Sequence, residues 1–246
     1  MEPMDQLAGL SGKEVQGLLD ALRRGEAGDD RFRAISFMMA MAPESKGQLF
    51  QDLWALWRSG LKRGGYFVEF GAASGVELSN TWLLERKFGW TGILVEPNPV
   101  FFDSLRANRS CDISTRCVYA RTGETLEFLS TAEPEYSRLL DVSADDVHEA
   151  ARQSKASTLS VETISLNDLL ASHHAPRTID FLSVDTEGSE FVILSEFDFD
   201  RWDVRTIAVE HNHTPARQQL RDLLAGRGYR LDLGKVSRHD DWYVKR

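Results

Sequence analysis

The chain has 246 residues, 42% of them apolar, which is enough to bury the core of one large domain and too mixed for a disordered polymer. Its 38 acids against 29 basic residues leave a formal charge of -9, and no basic run exceeds the pair Arg23-Arg24, which argues against a groove for nucleic-acid phosphates. The cysteines, Cys111 and Cys117, stand without a His or Cys cluster, so they read as a reduced pair and not as a zinc site. No charged segment followed by an apolar core opens the chain, and the longest apolar run, Ile35 to Ala42, is too short to span a bilayer; a cytoplasmic protein with no membrane partner is expected.

Residues 1–45 read as a loosely attached helical extension to a domain over 46–246. Ser11 and Glu14 form a capping box ahead of Val15, Leu18, Leu19 and Leu22, Gly25 and Gly28 interrupt, and Phe32, Ile35 and Met39 resume helical spacing. Gln48 to Leu61 is an amphipathic helix ended by Gly64-Gly65. Strand one follows from Tyr66 to Phe70, a small-residue turn leads into a helix over Val76 to Phe88, and Thr91 to Glu96 is strand two. Pro97 and Pro99 start a helix to Asn108, Thr115 to Ala120 is strand three, and Leu126 to Leu129 a short strand. Residues 130–157 are polar and aperiodic, a surface excursion near the substrate entrance with Asp145, Asp146 and His148 in a short solvated helix. Thr158 to Thr163 alternates as a strand, Ser165 to Ala171 is a short helix, and Ile179 to Val184 is a buried strand leading to a helix that ends at Leu194. Arg205 to Val209 is the next strand, Pro215 to Ala225 a helix, and Tyr229 to Leu233 with Asp241 to Lys245 a closing antiparallel hairpin. Such alternation implies an α/β fold, a mostly parallel sheet with helices on both faces.

Ligands of an open α/β sheet bind beyond the carboxyl ends of its strands. Here those ends carry Glu69 and Gly71, Glu96, Asp185 with Glu187, and Glu210 with His211. Glu187 and Glu190 also lie where acids favour a helix N-terminus, and Glu190 reads as structural. A dinucleotide fingerprint needs glycine at 71, 73 and 76, but the chain has Gly71, Ala73 and Val76. The pattern acid-x-G-x-G-x-G of S-adenosylmethionine (SAM) enzymes fits better, through Glu69, Gly71 and Gly75 with Ala73 as the one departure. Glu96, an acid at the tip of the next strand, can accept hydrogen bonds from ribose hydroxyls.

The stretches Ser45-Lys-Gly-Gln-Leu-Phe-Gln-Asp52, Gly65-Tyr-Phe-Val-Glu-Phe-Gly-Ala-Ala-Ser-Gly75, Leu94-Val-Glu-Pro-Asn98, Val161 to Leu170 and Ile179-Asp-Phe-Leu-Ser-Val-Asp-Thr-Glu-Gly-Ser-Glu190 resemble the FkbM family of SAM-dependent methyltransferases over residues 45–246. The family usually has Asn where this chain has Ala73, and often Asp in place of Glu69. The resemblance implies a class I methyltransferase fold with a seven-stranded sheet. It further implies that Gly71, Ala72 and Gly75 line the methionine end of SAM, that Glu96 takes the ribose, and that residues near Ala120 and Arg121 flank the adenine. Asp185 would stand by the methionine amino group or the acceptor, and Gln51 with Asp52 by the cofactor mouth.

Family members methylate hydroxyls, so the resemblance implies O-methylation of a small molecule, natural product, sugar or glycan. A base must then take the hydroxyl proton. His211 is the first candidate, because an imidazole titrates near neutrality, and Asp185 the second. A divalent metal between Asp185 and Glu210 is the alternative, and metal-free transfer is preferred over it. Two other functions remain open: a SAM-binding protein without turnover, and a nicotinamide-dependent oxidoreductase, which the missing glycines disfavour. Trp54, Trp57 and Phe50 suit either a dimer contact or a packed N-terminal helix, and the oligomeric state is open.

Overall fold

A computed structural model of the chain describes residues 30–131, 137–140, 157–234 and 237–246. The capping-box helix near Ser11 and the acidic stretch around Asp145 lie outside the described residues.

Eleven strands and seven α-helices are described. The strands are β1 (Tyr66–Phe70), β2 (Thr91–Val95), β3 (Asp112–Ser114), β4 (Cys117–Tyr119), β5 (Thr125–Ser130), β6 (Arg138–Leu139), β7 (Ser157–Ser165), β8 (Thr178–Val184), β9 (Asp203–Glu210), β10 (Tyr229–Asp232) and β11 (Asp240–Lys245). The helices are α1 (Asp30–Met41), α2 (Gln51–Arg58), α3 (Trp82–Phe88), α4 (Phe102–Asn108), α5 (Leu166–Ser172), α6 (Glu190–Ser195) and α7 (Ala216–Gly226).

Seven strands form one sheet in the order β10-β11-β9-β8-β1-β2-β3. Pairings from β9 through β3 are parallel, and β11 runs antiparallel to both β9 and β10. The expected class I methyltransferase-like fold is therefore present, with its C-terminal hairpin inserted so that the last strand lies inside the first edge strand. The strand order reverses between β1 and β8, and that switch point is where such a sheet opens a crevice.

Period-two alternation sorts the strand residues onto two faces. Val68, Phe70, Ile93, Val95, Leu182, Val184, Ile207 and Val209 join one core with Leu169 of α5, Leu194 of α6 and Leu224 of α7. Phe67, Leu94, Phe181 and Ala208 point the other way, into a core with Leu53 and Trp54 of α2 and Leu84 of α3. Trp54 is fully buried, stacks on Trp242 at 5.2 Å between ring centroids, and donates to Asp232 Oδ2 at 3.0 Å. The described part of the N-terminal extension is packed as well: Met38 of α1 belongs to this core, and the Phe37 ring lies 5.4 Å from that of Trp57.

Several elements depart from the sequence reading. Helix α2 starts at Gln51 and not Gln48, because Phe50 before it is left-handed, at φ 65°. The helix expected from Val76 begins only at Trp82, since Ser79, Asn80 and Thr81 turn inward to bind the Glu69 carboxylate. Strand three of the main sheet is Asp112–Ser114, and the stretch read as that strand instead supplies β4. With β7, β5 and β6, β4 builds a second, four-stranded sheet that the sequence reading did not anticipate.

Candidate active site

The glycine turn after β1 is shaped by contacts that forbid side chains. Gly71 has φ 69°, and a Cβ there would lie 2.5 Å from the Asp185 carbonyl oxygen. Gly75 has φ 77°, and its Cβ would strike Leu105 and Arg109 at 2.6 and 2.7 Å. Only glycine meets both demands, a left-handed φ and no room. The turn is held from beneath by Arg109, which is buried. Its guanidinium donates to Glu85 Oε2 at 2.6 Å, to the Gly75 carbonyl at 3.1 Å, and to the hydroxyls of Ser79 and Thr81 at 3.0 and 2.9 Å. Nothing in the sequence pattern marked Arg109, whose partners lie 24 to 34 residues before it.

Glu69, expected at the cofactor, faces this interior network. It accepts from Ser79 Oγ, Asn80 N and Thr81 Oγ1, stands 3.8 Å from Arg109, and does not line the cavity described below. Burial pushes its carboxyl above the usual range, against the pull of Arg109. Its place is to shape the 79–81 loop. Ala72 is buried, and its N–H donates to the Val95 carbonyl. Neither Ala72 nor Gly75 lines the cavity.

Glu96 is fixed at the tip of β2. One carboxylate oxygen accepts from Ala73 N at 2.9 Å and the other from Asn98 N at 2.7 Å. This acid thereby ties the glycine turn to the next strand and presents its carboxylate to the cavity.

That cavity has a volume of about 360 Å³ and lies over the switch point. One end is apolar, walled by Val95, Pro97, Phe101, Cys117, Val118 and Phe128. Half of this wall comes from the second sheet, and Ala120 and Arg121, expected to flank adenine, are not part of it. The other end is polar: Gln48, Gln51, Asn80, Asp185, Glu187, Glu210, His213 and His239 line it, with Gly71 and Ala73 at the middle. Five lining residues that are not glycine are left-handed: Ala73 (φ 45°), Leu78 (61°), Glu187 (56°), Asn212 (42°) and His213 (58°). Each costs about 1–3 kcal/mol of backbone strain, a pattern found at functional sites.

The polar end is bridged by contacts between residues far apart in the chain. Gln51 Nε2 donates to Asp240 Oδ2 at 2.8 Å, and His239 Nε2 lies 2.9 Å from Gln48 Oε1. Asp52 does not reach the cavity; it accepts from Ser45 Oγ at 2.6 Å and from Leu53 N at 2.8 Å. Burial pushes the carboxyls of Asp52 and Asp240 up to about 6.

At the tips of β8 and β9 the carboxylate oxygens of Asp185, Glu187 and Glu210 lie within 4.8 Å of one another. Burial first, and then the negative charge of Glu187 beside Asp185 and of Asp185 and Glu187 beside Glu210, holds both carboxyls well above the usual carboxylate range. Glu190 behind them accepts from Thr186 N and Gly188 N, both at 3.0 Å, and so builds the turn that carries Glu187.

His211 is not brought to this cavity. Its ring is buried, Nδ1 accepts from His213 N at 3.0 Å, and Nε2 faces Asp241 Oδ1 at 3.7 Å. With Nδ1 used as acceptor, the ring proton belongs on Nε2, and burial lowers the imidazole to about 4. The ring therefore offers the cavity no lone pair. The histidines that do line the cavity are His213 and His239.

The Methyltransferase FkbM domain family matches residues 69–231 of this chain. Among solved structures, the chain is similar to the methyltransferase FkbM from Methylobacillus flagellatus KT, at 12% identity and a TM-score of 0.46, over 88% of this chain and 55% of that one. It is also similar to the precorrin-6y C5,15-methyltransferase from Geobacter metallireducens GS-15, at 12% identity and a TM-score of 0.40, over 74% of this chain and 71% of that one. No curated protein matches the chain.

Proposed function

Because this chain belongs to the FkbM methyltransferase family and is thus a SAM-dependent methyltransferase, we propose that it delivers the methyl group to a hydroxyl of a small molecule, natural product or glycan. The observation that supports this most is the polarity of the cavity along the strand tips. An apolar wall at β2 and β4 suits a purine, the fixed carboxylate of Glu96 suits ribose hydroxyls, and the carboxylates of β8 and β9 suit a sulfonium and an ammonium. Neighbouring strands lie about 4.8 Å apart, so Asp185 stands roughly 10 Å and Glu210 roughly 14 Å from the β2 tip, a span that an extended nucleoside-amino acid covers.

Bound SAM supplies an electrophilic methyl group on a positive sulfur. The chain's residues hold and align. Gly71 and Ala73 would let the ligand approach the backbone, Glu96 would hold the ribose, and the contacts of Gln51 with Asp240 and Gln48 with His239 brace the polar end. With His211 turned away, the carboxylates at the β8 and β9 tips are the bases that face the transfer point.

Calorimetric titration of SAM and S-adenosylhomocysteine, with Glu96→Ala alongside, tests the cofactor assignment. Saturable binding that disappears in Glu96→Ala is expected, with no response to nicotinamide dinucleotides. A wild type that binds neither SAM compound refutes the assignment. Incubation with SAM and acceptor panels tests the rest: methylation confined to nitrogen or carbon acceptors overturns the O-methyl reading.

A further inference from the structure

The cavity's charged lining is one-sided. Glu77, Glu96, Asp185, Glu187 and Glu210 face it, His213 and His239 are its only other titratable side chains apart from Cys117, and no Lys or Arg lines it among the described residues. One carboxylate oxygen of Asp185 and one of Glu210 lie within 4.8 Å of each other, and Glu210 Oε2 is buried without a hydrogen-bond partner. Two carboxylates that close in a buried site repel, and one proton between them removes the repulsion and supplies the donor that a carboxylate lacks. The groups packed around the pair add negative charge: Glu187 from the same turn, Glu190 from α6 and Asp240 from β11. His239 also lies against Glu210, with its ring nitrogen and the carboxylate oxygens of Glu210 and Asp240 mutually within 4.8 Å.

Resting on the SAM-dependent reading of this cavity, we infer that Asp185 and Glu210 hold one shared proton when no cofactor is bound, give it up when the positive sulfur of SAM arrives, and take up the acceptor's proton as the methyl group leaves. The step balances in atoms and charge. The carbon–sulfur bond breaks with its electron pair remaining on sulfur, the acceptor oxygen forms the new carbon–oxygen bond, and the hydroxyl proton passes to the carboxylate pair. A sulfonium, a hydroxyl and a carboxylate become a thioether, an ether and a carboxylic acid, so the buried site has the same net charge before and after. The acid pair is therefore a base only while the cofactor still carries its methyl group. Asp185 and Glu210 are catalytic residues in this account, and Glu187, through its negative charge, is a positioning residue that keeps the shared proton in place.

The inference is testable without knowing the acceptor. The probes are SAM, S-adenosylhomocysteine, whose sulfur is neutral, and sinefungin, which carries an ammonium where SAM carries its methylsulfonium. Each is titrated calorimetrically into the full-length protein at pH 6.5 in two buffers of different ionisation enthalpy, which counts protons exchanged on binding. At that pH the amino-acid ammonium of every probe is already protonated. SAM and sinefungin are expected to release up to one proton each, and S-adenosylhomocysteine none. Affinity for the two cations should rise about tenfold from pH 6 to pH 7.5, with that for S-adenosylhomocysteine flat, because linkage ties affinity to the proton released. Glu210→Gln should abolish the release and the pH dependence of the SAM binding that remains, with cooperative thermal unfolding as the control for folding. Equal proton counts for SAM and S-adenosylhomocysteine, or release that persists in Glu210→Gln, overturn the inference and leave the cofactor assignment standing. Proton release by magnesium or manganese chloride alone, blocking that by SAM, overturns it in favour of a metal at the same tips. No binding of any of the three nucleosides refutes the cofactor assignment and this inference with it.

Discussion

Asp240→Asn should stabilise the protein at alkaline pH and do little at acid pH. Asp240 is 5% exposed, sits at the start of β11, and accepts from Gln51 Nε2 at 2.8 Å. Burial raises its carboxyl from 3.8 to about 6. The folded state therefore binds the proton more tightly than the unfolded chain, and stability is lost as pH rises from 3.8 through 6. At 1.36 kcal/mol per unit, that shift corresponds to a penalty of about 3 kcal/mol once both states are ionised. Only about 0.6 kcal/mol of it is present at pH 4, so some 2.5 kcal/mol separates pH 4 from pH 8. An Asn carbonyl keeps the hydrogen bond from Gln51 and carries no charge. Urea unfolding of wild type and variant at pH 4, 6 and 8 measures the difference, with equal m-values required. The variant should gain on the wild type by roughly 2 kcal/mol between the extremes. A constant difference across that range would refute the reasoning, since it would mean that folding does not shift the Asp240 carboxyl.

Gly71→Ala should destabilise by about 2–4 kcal/mol, because it adds left-handed strain to a 2.5 Å collision with the Asp185 carbonyl, and SAM binding should be lost by calorimetry even where the variant folds. Arg109→Met should cost about 3–5 kcal/mol in chemical denaturation, since it strands Glu69 and Glu85 without their cation beneath the turn. A loss under 1 kcal/mol would show that Ser79 and Thr81 alone satisfy Glu69. His211→Gln should leave SAM affinity within about twofold, in contrast to Glu96→Ala, because the imidazole does not face the cavity. A pH–rate profile displaced in His211→Gln would restore that residue as the base.

The parts of the site written in one continuous stretch were readable from the sequence. Tyr66 to Gly75 encodes a buried strand and a turn that only small residues can make, and Gly92 to Glu96 encodes the neighbour and its acid, so Gly71 and Glu96 were legible as local chemistry. Periodicity also recovered β8, β9 and the closing hairpin. What escaped depends on pairing across sequence. Strands β5 and β7 meet only through a long connection, and with them goes the apolar wall around Phe128. Side-chain direction escaped too: Glu69 and Glu96 both end buried strands, yet the former turns toward Arg109 and the latter toward the cavity. His211 follows Glu210 at a strand tip, and a one-residue step at a strand end exchanges the cavity for the opposite side, where Asp241, Arg217 and Arg221 hold it away. The left-handed Phe50 that shortens α2 has no signature, since nothing about phenylalanine favours that conformation.

The bonds from Gln48 and Gln51 to His239 and Asp240 join positions 189 and 191 residues apart. They impose a timetable on biosynthesis. A ribosome making this chain has released the glycine turn, Glu96 and Asp185 long before Asp240, yet the polar wall of the cavity does not exist until β11 slots between β9 and β10. That insertion is a late, non-local event of the kind that slows folding and leaves hydrophobic strand edges open meanwhile. Cofactor capture thus awaits the synthesis of β11, and nascent chains halted before residue 240 should emerge unable to retain SAM.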